Sequence, residues 1–478
     1  MERRDFLTLS GATAVALLTG CGGGGGGSTT DAGSSLTPKA KALPIPTALQ
    51  GTDSNGVKQY DLTVQTAQHD FFVESDTPTY AVNGTFLGPT LFLRNGDTVS
   101  INYTNTLSET ISMHGHGMHL PANMDGTAHQ EIALGTTWSA QYTVNQKACT
   151  NWYHPHTLHK TGEHVYKGIA GLIIIEDSES DALDLPKRYG IDDIPLVLQD
   201  RKFDSNANLV YDPTMQELMR GYVGDTFIAN GAIEPTFDAE AKEIRFRILN
   251  GSNSTMYDIG FSDGRVFKQI ATDNAFLEAP VSMTRLTLSP AERAEIVVDL
   301  SQDLGNTLQL IEHNYSKTFL TINVSKPATV TTTLPTTLTT LNRLDPATAV
   351  TTRTFTLEGR MGSFTINNKT MDINRIDEQV PLGDIEIWEV TNTMNINHNF
   401  HIHATHFMLL DRNGNTNIPV NENGYKDTIW IPAGESVRFI VQMTDYTDAN
   451  IPYMYHCHFL EHEDNGMMGQ FTVENTVT

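Results

Sequence analysis

At 478 residues the chain has room for about three domains of ~150 residues each, and its 39% apolar and 18% charged residues are those of a soluble protein with a sizeable core. A net charge of -25 excludes nucleic acid and anionic membrane surfaces as electrostatic partners and weakly favours cations. Three cysteines, Cys21, Cys149 and Cys457, are too few for a disulfide framework.

The chain opens as a targeting segment. Arg3-Arg4-Asp5-Phe6-Leu7 precedes an apolar run from Gly11 to Leu18 that is too short to span a bilayer. Leu18-Thr19-Gly20-Cys21 resembles a bacterial lipobox, in which Cys21 would carry the lipid of an envelope lipoprotein. The arginine pair resembles a twin-arginine export signal, although Glu2 and Thr8 depart from that pattern. A glycine run, Gly22 to Gly27, leads into a small-residue tether that would hold a globular body off a surface.

Beyond it, β-branched and apolar runs of strand length recur between Gly, Asn, Asp and Pro: Thr98–Tyr103, Leu172–Glu176, Glu243–Leu249, Ala294–Leu300, Ile385–Val390, Val437–Met443 and Gln470–Val473. Helical periodicity is weak, so the expectation is all-β sandwiches. A weak repeat starts at Asn83-Gly84, Asn230-Gly231 and Asn367-Asn368, each followed by a strand ending at Asn105, Asn250 and Asn392. Thr329 to Thr340 contains only Val, Leu and Pro besides Thr and reads as a linker. The expected order is signal peptide 1–20, tether 21–47, domains 48–180 and 181–328, linker 329–349 and domain 350–478.

Histidine carries the chemistry. Random placement of 17 histidines gives roughly 0.6 His-x-His pairs, yet there are four: His114/His116, His154/His156, His401/His403 and His456/His458. None lies in the middle repeat. Residues two apart on a strand share a face, so each pair can aim both rings at one place. In His456-Cys457-His458 the cysteine then points the other way, and His398, an odd number of residues from His401 and His403, leans to its side. Cys457, His462 and Met467, with His398, have the make-up of a blue-copper site of two His, one Cys and a weak axial Met; Met468 competes for the axial place. Imidazole pairs in such number suit a metal cluster.

His114-Gly115-His116-Gly117, His154-Pro155-His156, His398-Asn399-Phe400-His401-Ile402-His403 and His456-Cys457-His458 with His462 and Met467 resemble the four copper motifs of the multicopper oxidases, in their bacterial copper efflux oxidase and laccase branch. Gly115 replaces the family's usual Trp. The resemblance implies three Greek-key cupredoxin-like sandwich domains and four copper ions. His114 and His401 would bind the type 2 copper; His116, His154 and His458 would bind one type 3 copper, and His156, His403 and His456 the other. Asp125 and Glu463 match the family's proton-relay positions. Dioxygen and a small reductant, cuprous ion or a phenol, are the implied partners of a monomer with a role in copper homeostasis. A mononuclear-site nitrite reductase, a copper-free cell-division scaffold of the same fold and a copper-storage protein are the competing readings; the first two lack the full ligand set. His119, His129, His159, His164 and His406 lie off the motif spacing, and Cys149 reads as a small core residue. Met361 and Met394 are candidate soft ligands for cuprous ion, and nothing between Met361 and Leu382 is long enough to lid the edge of His462, which is therefore expected to be open to phenols.

Overall fold

The computed structural model describes residues 36–360 and 362–475. The signal peptide, Cys21 and Met361 lie outside the described residues. No helix among those described is long and apolar enough to cross a membrane.

The fold is all-β: three Greek-key sandwiches of the cupredoxin type, each made of two sheets from one contiguous stretch of chain. The alternation that makes them strands is plain in Ile385–Asn392, where every second residue is buried. All the runs singled out in the sequence lie on strands, with ends shifted by a residue or two. The first sandwich closes by parallel pairing of Val57–His69 with Thr98–Asn105 and of Thr90–Arg94 with Gly171–Glu176. The middle one repeats this with Asp193–Arg201 on Glu243–Asn250 and Thr236–Glu240 on Lys317–Lys326. The last does so with Thr351–Arg360 on Ile385–Asn392 and Glu378–Pro381 on Met468–Glu474.

Asparagine explains why the weak sequence repeat is a structural one. Asn83, Asn230 and Asn367 all sit at positive φ, where Asn is among the few residues tolerated. Each accepts one amide through Oδ1 and donates Nδ2 to the carbonyl two residues earlier: Thr63 and Asp61, Val197 and Pro195, Thr356 and Thr354. Asn105, Asn250 and Asn392 form a second triplet, in which Oδ1 takes the amide of Leu107, Ser252 or Met394 and Nδ2 bridges a nearby carbonyl, of Glu109, Thr255 or Ile396, to a distant one, of Ile132, Leu288 or Ile431.

The sandwiches are welded by strands apolar on both faces. Asp193–Arg201 is buried at every position: Ile194, Leu196 and Leu198 face their own core, while Val197 joins Trp152 and Leu172 of the first sandwich. The segment expected to be a free tether up to residue 47 is docked from Leu36 onward. Leu43 enters the middle core and Lys39 and Lys41 pair with Asp70, because an apolar side chain and two cations find partners there. The Thr-rich stretch is likewise pinned: the Leu338 amide donates to the Glu278 carbonyl, and Leu338 and Leu341 are buried.

Replacing Asn250 by Ala strands two carbonyls and an amide in the core without touching any histidine. Urea unfolding should show a loss of about 1–3 kcal/mol, and an unchanged midpoint would mean that water satisfies these groups.

Candidate metal centres

His398 opens the strand His398–Ile402, Cys457 follows the strand Asp448–His456, and His462 lies on the helix Leu460–Asp464. Their ligating atoms converge. His398 Nδ1 is 3.4 Å from Cys457 Sγ and 3.1 Å from His462 Nδ1, and the thiol is 3.7 Å from His462 Nδ1. All three side chains are buried. Burial pushes the Cys457 thiol up to about 12 and His398 down to about 3, so both imidazoles are neutral and the thiol gives up its proton only to a cation. Met467 is buried beside them: its carbonyl takes the Cys457 amide and its amide donates to the His462 carbonyl. Met468 instead pairs with His456 in the ladder.

On the opposite side lie the eight paired histidines, all buried. The strands Met113–His116 and Cys149–Pro155 set His114 opposite His154, and His401 faces His456 in the last sandwich. Across the seam between the two sandwiches His114 stacks on His403 at 4.0 Å and His116 on His401 at 3.7 Å. His456 Nε2 lies 3.2 Å from Nε2 of both His156 and His403, and His154 Nε2 lies 3.4 Å from His458 Nε2.

The outer nitrogens fix the tautomers. Nδ1 of His114, His401 and His154 donates to the carbonyls of Asp125, Asp427 and Pro155 at 2.8, 2.9 and 2.7 Å, and His403 Nδ1 donates to Asp125 Oδ2 at 2.7 Å. Gly126 makes the Asp125 turn possible, because at its φ of 79° a Cβ would fall 1.8 Å from the Met113 carbonyl oxygen. His116 is turned around: Nε2 donates to Asp427 Oδ1 at 3.0 Å. What remains inside is His114 Nε2, His401 Nε2 and His116 Nδ1, all buried with no hydrogen-bond partner. Lone pairs so buried cost about 1–3 kcal/mol apiece unless an electron-poor group fills the space. Metal cations fit this donor set; a further donor-free imidazole core does not.

Two carboxylates stand against the cluster. Asp125 touches His403 and lies 3.3 Å from His114, and Glu463 lies 3.1 Å from His456 Nδ1 and 3.8 Å from His156 Nδ1. Burial pushes both carboxyls up, but the imidazoles outweigh it and hold them well below the usual carboxylate range. Next to Glu463, burial and then the Glu463 charge push Asp464 well above that range.

The off-motif histidines have other partners. His119 binds the Ala404 carbonyl and Asp445, His159 the Asp464 carbonyl, His129 Gln470, His406 stacks on Tyr425, and His164 lies 3.6 Å from Glu109. Cys149 is buried in the first core, and burial pushes its thiol up to about 12. At Gly115, Met118 occupies the space a side chain would take, 3.1 Å from where a Cβ would stand.

The expected open edge of His462 is not there. His462 is fully buried, because a short helix of the middle sequence, Met215–Arg220, packs on its helix and Phe364 stacks 4.2 Å from its ring. A capping box between Thr214 and Glu217 starts this helix and Lys202 pairs with Glu217. This helix is not legible in the sequence, since six residues carry too little periodicity. His398 is equally buried, and its Nε2 donates to Met394 Sδ at 3.2 Å. Met394 lines a cavity of about 620 Å³ with Met219, Glu358 and Arg360.

Comparison with known proteins fits this geometry. Two family models, both described as multicopper oxidase, match residues 63–180 and 332–477. The multicopper oxidase mco of Staphylococcus haemolyticus is 36% identical over 88% of this chain and 90% of its own. The cell division protein FtsP of Sodalis glossinidius is 34% identical over 99% of this chain and 98% of its own. The laccase-like multi-copper oxidase CueO of Ochrobactrum sp. superposes with a TM-score of 0.85 at 34% identity, covering 90% of this chain and all of that one. With relatives of that identity along almost its whole length, this chain belongs to the multicopper oxidase family, copper enzymes that oxidise a substrate with dioxygen as the acceptor.

Proposed function

We propose that the protein is an oxidase in which His398, Cys457, His462 and Met467 would hold a type 1 copper that takes single electrons from a reductant, and a trinuclear copper site would supply the chemistry that reduces dioxygen to water. His114 and His401 would hold the type 2 copper; His116, His154 and His458, and His156, His403 and His456, would hold the type 3 pair. That makes four coppers per chain, held by domains one (48–180) and three (350–478), with 181–328 free of ligands. Copper supplies one-electron redox chemistry at each position, which lets four electrons reach one dioxygen. The observation that carries the reading is the enclosed set of partnerless imidazole nitrogens beside a buried Cys-His-His group.

The chain's own groups do the rest. Cys457 is bonded through the backbone to His456 and His458, so the thiol and two cluster imidazoles form one short covalent path. Asp125 and Glu463, ionised beside His403 and His456, would accept protons and pass them inward, acting as general acids only once protonated. The copper-free scaffold reading meets a full ligand set, which a scaffold would not need. Export through the N-terminal signal, anchoring through Cys21 and a monomeric state complete the proposal.

The cavity at Met394 favours cuprous ion as reductant over a bulky phenol. Two thioethers, Met219 and Met394, with the Glu358 carboxylate suit a soft monovalent cation, and His398 Nε2 lies 3.2 Å from the Met394 sulfur. The Ochrobactrum relative is described as having oxidase activity towards lignin model compounds, so phenols are the second candidate.

Copper analysis should find four per chain, two indicating a reductase and none a scaffold. Cys457→Ser should abolish the blue absorption and the oxidation of every reductant; a variant that stays blue would place the thiolate elsewhere. Asp125→Asn and Glu463→Gln should keep copper and colour while slowing turnover roughly 10²-fold or more; lost copper would make either residue a support for its imidazole. A Met219→Leu, Met394→Leu double variant should raise KM for cuprous ion about tenfold with phenol kcat/KM undiminished, the mark of lost ground-state binding. An unchanged cuprous KM would remove the cavity from the route.

A further inference from the structure

We infer that Arg293, in the middle sandwich that supplies no ligand, is a positioning residue for the histidine cluster, acting through Asp427. The inference rests on the trinuclear reading above.

Asp427 is fully buried between two ring systems. Its Oδ1 accepts from His116 Nε2 at 3.0 Å, from Arg293 Nη1 at 2.8 Å and from Thr428 Oγ1 at 2.8 Å. Its Oδ2 accepts from Arg293 Nη2 at 2.6 Å, and its carbonyl accepts from His401 Nδ1 at 2.9 Å. One residue therefore sets the tautomer of two rings that stack at 3.7 Å, and sets them oppositely. His116 is left with Nδ1 facing inward and His401 with Nε2, and both of these atoms lack a partner. His116 is one of the imidazoles proposed for the type 3 pair and His401 one of those for type 2, so Asp427 governs the edge where the two kinds of copper meet.

Arg293 holds Asp427 in that pose. The two parallel bonds are the forked guanidinium-carboxylate pair that a lysine cannot make. The other guanidinium donors reach the Thr150 carbonyl at 3.0 Å and Asn151 Oδ1 at 2.7 Å in the first sandwich, and the carbonyls of Ala291 and Asp273 in the middle one. Asp273 accepts the amides of Arg293 and Asp427, and Lys426 bridges Asp273 and Glu292. A single buried side chain thus ties all three sandwiches together at the ligand His116. Gly117, the residue after it, is bound by the same clamp. A Cβ there would stand 2.7 Å from Arg293 Nη2, Asn151 Oδ1 and Asp427 Oδ2, so the His-x-His-Gly motif keeps its last glycine to let the guanidinium pass.

The alternative is a staple that only joins sandwiches. Arg293→Lys and Asp427→Asn, made in the full chain and loaded with copper, separate the two. We expect both variants to keep the blue band, to show a changed hyperfine pattern in the type 2 copper resonance signal, and to lose about 10–100-fold in turnover, the usual effect of disturbing a group that orients a metal-bound imidazole. Arg293→Lys should retain more turnover than Arg293→Met, which removes the charge as well as the fork. A wild type with no type 2 signal would refute the trinuclear reading itself, whatever the variants do. Given a normal wild type, an unchanged type 2 signal and undiminished turnover in both variants overturn the inference. So does loss of the blue band in both, which would make the clamp a folding element.

Discussion

The alternation of side chains at His456-Cys457-His458, where the strand Asp448–His456 runs out, dictates the rest. Successive side chains leave an extended chain on opposite faces, so a thiol that enters the last sandwich's core sends its two neighbours out through the other face. Cys457 belongs to that core with Phe459 and Met467, and the flanking imidazoles emerge at the seam with the first sandwich. A cluster there can be completed only by side chains from across the seam. His114, His116, His154 and His156 do this from the paired strands Met113–His116 and Cys149–Pro155. The seam therefore has to be rigid, which is what the buried strand Asp193–Arg201 and the Arg293 clamp provide.

Imidazoles packed this closely keep their orientation through the nitrogens turned outward. Here three of the outer acceptors are backbone carbonyls, those of Asp125, Asp427 and Pro155. A carbonyl orients a ring without bringing a full negative charge, so the carboxylates are kept to a few places where charge has a use. Asp125, Glu463 and Asp427 are those places, and each is held ionised by the cations or imidazoles around it against the opposing effect of burial. Such oriented imidazoles meet a metal with no reorganisation of the protein.

What was legible in the sequence follows from the range of each interaction. The His-x-His pairs and the Cys-His-Met spacing were legible because a strand's period of two is a local rule. The asparagine repeat was legible as spacing, though its meaning, three copies of one side-chain bridge, needed the coordinates. Asp427 and Arg293 were not legible: they are 134 residues apart and meet only because two sandwiches dock. Nor was the cover over His462, since the helix Met215–Arg220 comes from a loop far from any copper motif. Leu43 misled for a related reason, as one apolar residue in a small-residue tether gives no sign of the core it joins.

That cover changes how the blue site must be read. With His462 sealed by Phe364 and the helix Met215–Arg220, the proposed entry for an electron is through His398, whose Nε2 donates to the sulfur of Met394. A thioether at that position is a poor partner for a phenol hydroxyl and a good one for a soft cation. The helix contributes Met219 to the same cavity, so the element that closes the aromatic route also furnishes the second sulfur. On the proposed reading, choice of reductant would reside in a loop of the middle sandwich, as would the positioning of the cluster through Arg293. The sandwich that supplies none of the proposed ligands would then govern both ends of the electron path, entry at His398 and the ring tautomers at its terminus.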